Sequence, residues 1–511
     1  VQALQCAVES LTDWLPLHFF VPPRFLCGLR FLYVVQRREV TACLPVYRTY
    51  TRKMAVNTVD RQYIEIAVIE ATGRNAWLDA ALNYLKQVLL LDFPAGFTIA
   101  KKNEWLDFVM RWQQLTGAIM AKGFEDTALY NYHCLVSLNE VGGDPDTGGL
   151  SISGFHKWNL MRAKRWPHTL NATSTHDTKR SEDVRTRINV LSEMPDEWER
   201  HLQSWMRYNR VKKQKINGQP FPELNTEILL YQTLIGAWPL APEEIMGFKE
   251  RLKDYMIKAV REAKAFTSWL KINREYEGAL LNFIDSILDN STDNGFLHDF
   301  TEFQHKIAYY GALNSLSLLL LKITLPGVPD FYQGTELWDF SLVDPDNRRP
   351  VDFTRRKKLL DTITDGEGKN RLSLIKEILS SWRDGQIKLY VTYKALNTRC
   401  DYSKLFQRGN YLPLKAAGEK QEYVCAFMRS YRGAQALIAV PRLFTKLNKA
   451  GVPPVGEQVW GDGRILLPKS APKNWLNALI GNTIRANVDG SALSTAAIFG
   501  SLPIALLIPY K

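Results

Sequence analysis

The spacing of apolar residues changes once along this 511-residue chain, and that change constrains the fold more than any other feature. Between about residues 60 and 325 apolar side chains recur at helical spacing. Trp77, Leu78, Ala81, Leu82, Leu85, Val88 and Leu89 fall every three to four positions across residues 75–91, and residues 103–120 repeat the pattern. Pro242-Glu243-Glu244 reads as a helix start, with proline in the first turn and acids at the positive end of the dipole. That helix is expected to run through Ile257 and Ala263 toward Trp269. Residues 307–323 form a further apolar helix, stopped by Pro326-Gly327. After about residue 385 short apolar runs separated by Gly, Asn and Asp take over, at 387–393, 411–414, 423–428, 436–440, 465–467 and 504–510. Their spacing predicts a compact antiparallel β domain. Residues 17–35 are aromatic and apolar without a period, so segment 1–38 fits neither texture. It is expected either to pack onto something outside the chain or to differ from the native beginning.

Composition narrows the class. Length alone suggests about three domains. The 46% hydrophobic and 23% charged fractions exclude a disordered chain, a collagen, a coiled coil and a polytopic membrane protein. Fourteen Trp, 21 Tyr and 23 Phe suit planar or sugar-ring ligands, and serve equally well as packing. Six cysteines, Cys6, Cys27, Cys43, Cys134, Cys400 and Cys425, lie far apart with no Cys-x-x-Cys pair. That argues against a zinc site or disulfide framework and fits a reducing compartment. The apolar stretch 14–35 is interrupted by Pro22, Pro23, Arg24 and Arg30, and 309–321 is too short for a bilayer. With no secretory signal pattern, a cytoplasmic protein is expected. The net charge of +12 raises the question of an anionic partner. Its densest runs, 207–215 and 355–358, sit in no nucleic-acid motif and read as solvated faces, so neither nucleic acid nor membrane is expected as a partner. No cofactor and no metal are expected either.

The chemistry concentrates in residues 172–187, ATSTHDTKRSEDVRTR. Thr173, Ser174 and Thr175 run into His176-Asp177, and Ser181-Glu182-Asp183 places polar and acidic groups at a helix start. A strand over 173–177 would end in His-Asp, and in a (β/α)8 barrel that carboxyl edge is where catalytic side chains sit. On its own the pair also reads as a helix cap with a nearby histidine.

His176-Asp177 resembles the last of the four signature regions of the α-amylase superfamily, and its wider context resembles the maltooligosyltrehalose synthase family. The same resemblance covers PVYRTY (45–50), QQLTGAIMAKGFEDTALYNY (113–132), LNEVGGDP (138–145), YQTLIGAWP (231–239), KAVREAKAFTSW (258–269) and LPGVPDFYQGTELWDFSLVDPDNRRPVDF (325–353). These blocks run in the family's order from about residue 39 to the C-terminus. The resemblance implies an α/β fold: the C-terminal part of a (β/α)8 barrel with large helical insertions, followed by an antiparallel β-sandwich domain. The corresponding segments are 1–38 (atypical), 39–165 (helical insertion) and 166–190 (barrel strand with His-Asp and the following helix). After them come 191–300 (second helical insertion), 301–384 (last barrel elements, with a strand at 327–332) and 385–511 (β domain).

It also implies an intramolecular transglucosylation. The α-1,4 bond to the reducing-end glucose of a maltooligosaccharide is exchanged for an α,α-1,1 bond, with retention. Retention calls for a nucleophile and an acid/base about 5–5.5 Å apart. Asp177 matches the family's third carboxylate and His176 the neighbour that hydrogen-bonds the sugar at the cleavage point. The nucleophile's Gly-x-Arg-x-Asp strand and the acid's strand should precede PVYRTY, where the only acids are Glu9, Asp13 and Glu39. Arg399-Cys400-Asp401, with Asn397 in place of Gly, is the only Arg-x-Asp and is read as a loop. The chain is thus expected to be the C-terminal portion of a larger enzyme, catalytically incomplete alone, with a non-catalytic α-glucan-binding remnant as the alternative.

Further substrate-binding candidates carry bland readings beside them. Lys122, Glu125 and Asp126 either contact ligand or form a helix cap and a surface ion pair. Tyr47, Arg48 and Tyr50 either line sugar subsites or pack. Lys179 and Arg180 either reach sugar hydroxyls or balance Glu182 and Asp183. Asp344, Asp346, Asn347, Arg348 and Arg349 form a polar cluster after the strand expected at 327–332, and Arg–carboxylate forks that fix a loop are the favoured reading for at least two of them.

Overall fold

The computed structural model describes residues 38–290 and 293–510. Most of the N-terminal segment, with Cys6 and Cys27, lies outside the described residues. The chain divides into two compact units, one of residues 38–133 and 258–273, the other of 134–257 and 274–510.

The first unit is helical. Its helices are α1 (Thr58–Arg74), α2 (Asp79–Leu90) and α3 (Ile99–Met120). Asn57 and Thr98 cap α1 and α3 by accepting the N–H groups of Asp60 and Lys101. Most of the apolar stripe expected at 75–91 is buried, Leu78, Leu82, Leu85 and Leu89 meeting Ile64, Val68, Val109 and Trp112 in one core, but Trp77 at its start is exposed. Directly after α3 the chain makes a π-helical turn, Ala121–Glu125.

The second unit begins with α4 (Ile152–Arg165), β1 (Leu170–Asn171), α5 (Glu182–Asn189) and α6 (Pro195–Asn209). The hairpin β2 (Gln214–Ile216) and β3 (Gln219–Phe221) follows, then α7 (Leu224–Ala237) and α8 (Ile245–Ala263, counted in this unit to residue 257). α8 stops at Ala263, short of Trp269. Next come α9 (Arg274–Ile287), α10 (Gly295–Thr324) and β4 (Val328–Pro329). β1 and β4 pair in parallel, Leu170 beside Val328 and Asn171 beside Pro329. β4 is shorter than the strand expected at 327–332.

α10 has 30 residues, longer than the apolar stretch that marks it, because it starts at the cap Asn294. It is long and apolar enough to cross a bilayer, but 83% of its apolar window is buried inside the protein, which makes it a core helix. α5 crosses it closely: a Cβ at Gly311 would lie 2.9 Å from the Arg187 Cα, so glycine is required there.

Residues 386–408, expected to open the β region, are helical. They follow α11 (Phe353–Ser380, broken at Asn370) and form α12 (Gln386–Asp401) and α13 (Ser403–Arg408). The run 387–393 is a buried helix segment, and a short apolar run cannot distinguish that from a strand. Arg399-Cys400-Asp401 is the last turn of α12 and not a loop.

The sheets start at β5 (Asn410–Leu414), with β6 (Ala416–Ala417), β7 (Val424–Tyr431), β8 (Ala434–Pro441), β9 (Arg464–Leu466), β10 (Asn474–Asn477), β11 (Thr483–Arg485), β12 (Ala492–Ser494) and β13 (Ala505–Pro509). Six make one antiparallel sheet, in the order β11-β10-β13-β8-β7-β5, and β12-β9-β6 make another. Met428, Leu437 and Leu507 face a core shared with Trp460, Trp475 and Ile465. Their neighbours Phe427, Ile438 and Leu506 face the opposite way, onto Leu320, Ile375 and Tyr390 of the helices. Burial on both faces explains why these strands are unbroken apolar runs rather than alternating ones. It also makes the sheet continuous with the helical core instead of a separate domain.

Candidate active site

The strand expected over 173–177 is a turn, and β1 has already ended at Asn171. Local hydrogen bonds decide this. The Thr175 N–H donates to Thr178 Oγ1 at 3.2 Å, and the N–H groups of Asp177 and Thr178 donate to Thr175 Oγ1 at 3.2 Å each. The Thr178 hydroxyl returns a bond to the Thr175 carbonyl at 3.0 Å. Threonine side chains thus take the backbone groups a strand would pair. His176 and Asp177 end up exposed, and no described residue bonds the Asp177 carboxylate.

The turn is tied on three sides. Asn347 Nδ2 donates to the His176 carbonyl at 3.0 Å. The Ser181 N–H donates to the Ser341 carbonyl at 3.1 Å, and Arg180 bridges Leu342. Glu140 receives the Lys179 N–H on Oε1 at 2.7 Å and the Arg180 N–H on Oε2 at 3.4 Å, with Arg185 Nε 3.6 Å away. The LNEVGGDP block folds back sharply to aim that carboxylate. Gly142 has φ +68°, and a Cβ on Gly143 would lie 2.9 Å from the Glu140 carbonyl oxygen.

Ser181 occupies the cap position of α5, but its hydroxyl donates to the Asp339 carbonyl, and Ser174 Oγ accepts the Glu182 N–H at 2.8 Å instead. Glu182 and Asp183 are buried. Lys388 Nζ lies 2.8 Å from Glu182 Oε1 and 2.7 Å from Asp183 Oδ2, and Lys322 Nζ 3.1 Å from Glu182 Oε2. Burial pushes the Glu182 carboxyl up, but the ammonium groups of Lys388 and Lys322 outweigh it and hold it down at about 2. Lys179 and Arg180 come just before these two acids in the chain. Both are buried, and Arg180 donates to the Val136 carbonyl at 3.2 Å and the Tyr255 hydroxyl at 2.8 Å. The polar cluster is a loop clamp, as read. Arg251 forks onto Asp346 at 2.6 and 2.8 Å, Arg349 adds a contact at 3.0 Å, and Arg348 reaches Asp344 at 3.4 Å.

The remaining candidates lie in the first unit. Gln113 pins PVYRTY and the residue after it, accepting the Thr49 hydroxyl at 2.9 Å and the Thr51 N–H at 2.6 Å and donating to the Thr51 carbonyl at 3.0 Å. The Tyr47 hydroxyl donates to Glu125, which is buried at the end of the π-helical turn, a geometry frequent at functional sites. Arg48 stacks 4.9 Å over the exposed Tyr50 ring. Lys122 and Asp126 form an i,i+4 pair at 2.6 Å. Glu262, raised by burial, accepts Trp269 Nε1 at 3.0 Å.

No family model matches the chain. A Mycobacterium tuberculosis protein provisionally described as a maltooligosyl trehalose synthase is 36% identical over 399 residues, 78% of this chain and 45% of that protein. The structure of maltooligosyltrehalose synthase from Arthrobacter ramosus superposes with a TM-score of 0.75 at 31% identity, covering 94% of this chain and 54% of that one. A Sulfolobus tokodaii structure described as a hypothetical maltooligosyl trehalose synthase gives 0.69 at 31% identity, covering 99% and 57%. Over most of its length, the chain is a homologue of the maltooligosyltrehalose synthases. It spans about half the length of the relatives it matches.

Within this maltooligosyltrehalose synthase homologue, sequence reasoning missed Glu140 as a support of the Asp177 turn, and Lys322 and Lys388 as the partners of Glu182 and Asp183. For Glu140 a signal existed: a lone acid ahead of Gly-Gly inside a matched block. For the lysines none did, since each sits in an apolar helix far along the chain.

Proposed function

We propose that this chain supplies the Asp177 side of the active site of a (1→4)-α-D-glucan 1-α-D-glucosylmutase acting on maltooligosaccharides in trehalose formation. Asp177 carries the reading: an exposed carboxylate, without an ion-pair partner among the described residues, on a turn fixed by Glu140, Asn347 and Ser341. A negative charge so held stabilises positive charge developing at an anomeric carbon. His176 beside it would hydrogen-bond the same sugar. Tyr47, Arg48, Lys122, Glu125 and Asp126 are proposed to contact the oligosaccharide, whereas the burial of Lys179 and Arg180 suits them to support rather than to contact.

β1 and β4 are proposed as two strands of a (β/α)8 barrel, and their parallel pairing supports this. The 511 residues contain no Gly-x-Arg-x-Asp sequence, and Arg399-Cys400-Asp401 is helical. The nucleophile and acid/base are therefore proposed to come from outside these residues. A cytoplasmic setting is proposed, consistent with free thiols at Cys43, Cys134, Cys400 and Cys425.

The test joins these residues to the N-terminal part of the Arthrobacter ramosus enzyme and follows trehalosyl product from maltopentaose. Product from the joined protein and none from the 511 residues alone is the expected result. Maltopentaose binding with no product from either would favour the glucan-binding alternative.

A further inference from the structure

Three arginines converge on the carbonyl end of α10. Arg399 donates to the Ile323 and Gly327 carbonyls at 2.6 and 2.7 Å. Arg429 donates to the Thr324 carbonyl at 2.9 Å, and to those of Phe406 and Gly409 at 2.9 Å each. Arg162 reaches the Pro326 carbonyl at 3.3 Å. None of the three has a carboxylate partner among the described residues, and Arg429 is 1% exposed, with its Nε unbonded. Burial lowers the pKa of all three, that of Arg429 to about 10.

Capping a helix C-terminus accounts for part of this arrangement. A helix end, however, offers only about half a negative charge, against three positive ones. Of the three, Arg429 lines a cavity of about 620 Å³ together with Lys164, His168, Arg408, Gln407 and Asn410, and no lining residue is acidic. Lys164, His168 and Arg408 are exposed at its rim. The volume falls in the range of roughly 300–1,000 Å³ typical of small-molecule sites.

We propose that this cavity is a binding site for a small phosphate-bearing molecule. Phosphate matches the lining in two respects. It carries more than one negative charge, and its oxygens accept the forked and point-charge donors that arginine and lysine provide. A nucleic-acid backbone would call instead for a basic stripe along the surface, and the chain's densest basic runs, 207–215 and 355–358, are not in this lining.

The 511-residue chain is titrated with inorganic pyrophosphate by calorimetry at low ionic strength, and its melting temperature is compared in pyrophosphate and in chloride of equal ionic strength. Saturable binding of about one equivalent is expected, with a rise in melting temperature specific to pyrophosphate. Lys164→Gln/Arg408→Gln should weaken binding by at least about tenfold, since two charge-assisted hydrogen bonds are lost. Both positions are exposed, so the variant should melt as the parent does. The control Lys357→Gln/Lys358→Gln lowers net charge equally and should leave binding intact. An absence of saturable binding would overturn the proposal. So would an unaffected rim variant, an equal loss in the control, or binding confined to duplex DNA.

Discussion

Asp177 and the pair Glu182–Asp183 come from one short stretch of sequence, yet the structure treats them in opposite ways. Asp177 stands exposed on a threonine-tied turn with no partner for its carboxylate among the described residues, while Glu182 and Asp183 are buried against Lys388 and Lys322. A buried carboxylate must be paired, and once paired its charge is spent on the fold. An exposed, unpaired carboxylate on a rigid support keeps its charge available for a ligand. The backbone around Asp177 is instead held by groups that bond its neighbours: Asn347 at His176, and Glu140 at Lys179 and Arg180. Chemistry and support are therefore carried by different acids, and substitutions should separate them.

Lys388→Met should give the largest effect. It leaves Glu182 with Lys322 alone and Asp183 with no ion-pair contact among the described residues, only the field of the buried Arg187, and removing one partner of a buried pair costs about 3–5 kcal/mol. The urea midpoint should fall accordingly. Adding Glu182→Gln and Asp183→Asn should recover most of the loss, because the uncompensated charges go too. Acid titration offers a second check. Glu182 is held below its ordinary value of 4.5, at about 2, so its contribution is present above about pH 4.5 and lost as pH falls toward about 2. Glu182→Gln should flatten the decline of melting temperature across that window. An unchanged decline would show that Glu182 is not the support described.

Asp177→Asn should show the reverse pattern. In the joined enzyme, trehalosyl formation should fall at least about a hundredfold, the scale of losing one preorganised electrostatic group. Melting should shift by less than about 0.5 kcal/mol, as for exposed positions generally. Turnover retained with a lowered melting temperature would make Asp177 a structural cap after all. Glu140→Gln should fall between the two. The amide keeps one acceptor but turns its other end into a donor facing a backbone N–H, so the Asp177 turn loosens. Turnover should drop about tenfold with KM nearly unchanged, and the effect should shrink in the Asp177→Asn background if Glu140 acts through Asp177. Full additivity of the two substitutions would argue that Glu140 supports the fold alone.

How much of this was legible in the sequence depended on the range of the interactions. The helices at 75–91 and 103–120 were readable because one buried stripe per helix leaves a clear period. Strands β7, β8 and β13 were readable as strands, but their two-sided burial, and hence their union with the helical core, was not. Residues 387–393 misled because an apolar run buried all round carries no period. At the site, His176 and Asp177 could be named from a matched block, and the Arg349–Asp346 and Arg348–Asp344 contacts could be anticipated from the local density of opposite charge, whereas Arg251, 95 residues from Asp346, could not. The turn at 175–178 was mistaken for a strand because β-branched threonines favour strands, while their hydroxyls here bond locally. Lys179 and Arg180 read either as sugar contacts or as the balance of Glu182 and Asp183. Their burial depends on Glu140, Val136 and Tyr255, contacts that no local pattern encodes.

The smallest effect on stability should come from the other acid–lysine pair considered, Lys122–Asp126. Its contact, 2.6 Å, is as short as those of Lys388, but the Lys122 side chain is 63% exposed while that of Lys388 is fully buried. Water and salt screen the exposed pair, and holding two long side chains in register offsets much of the gain. Asp126→Ala should therefore cost no more than about 0.5 kcal/mol, against several for Lys388→Met. Because stability barely moves, Lys122→Gln isolates the ligand question. If the ammonium contacts oligosaccharide in the joined enzyme, KM for maltopentaose should rise about threefold, the equivalent of one modest hydrogen bond, with the melting temperature unchanged. An unchanged KM would leave Lys122 and Asp126 as a solvated ion pair spanning the π-helical turn, and would confine the sugar contacts of the first unit to Tyr47, Arg48 and Glu125.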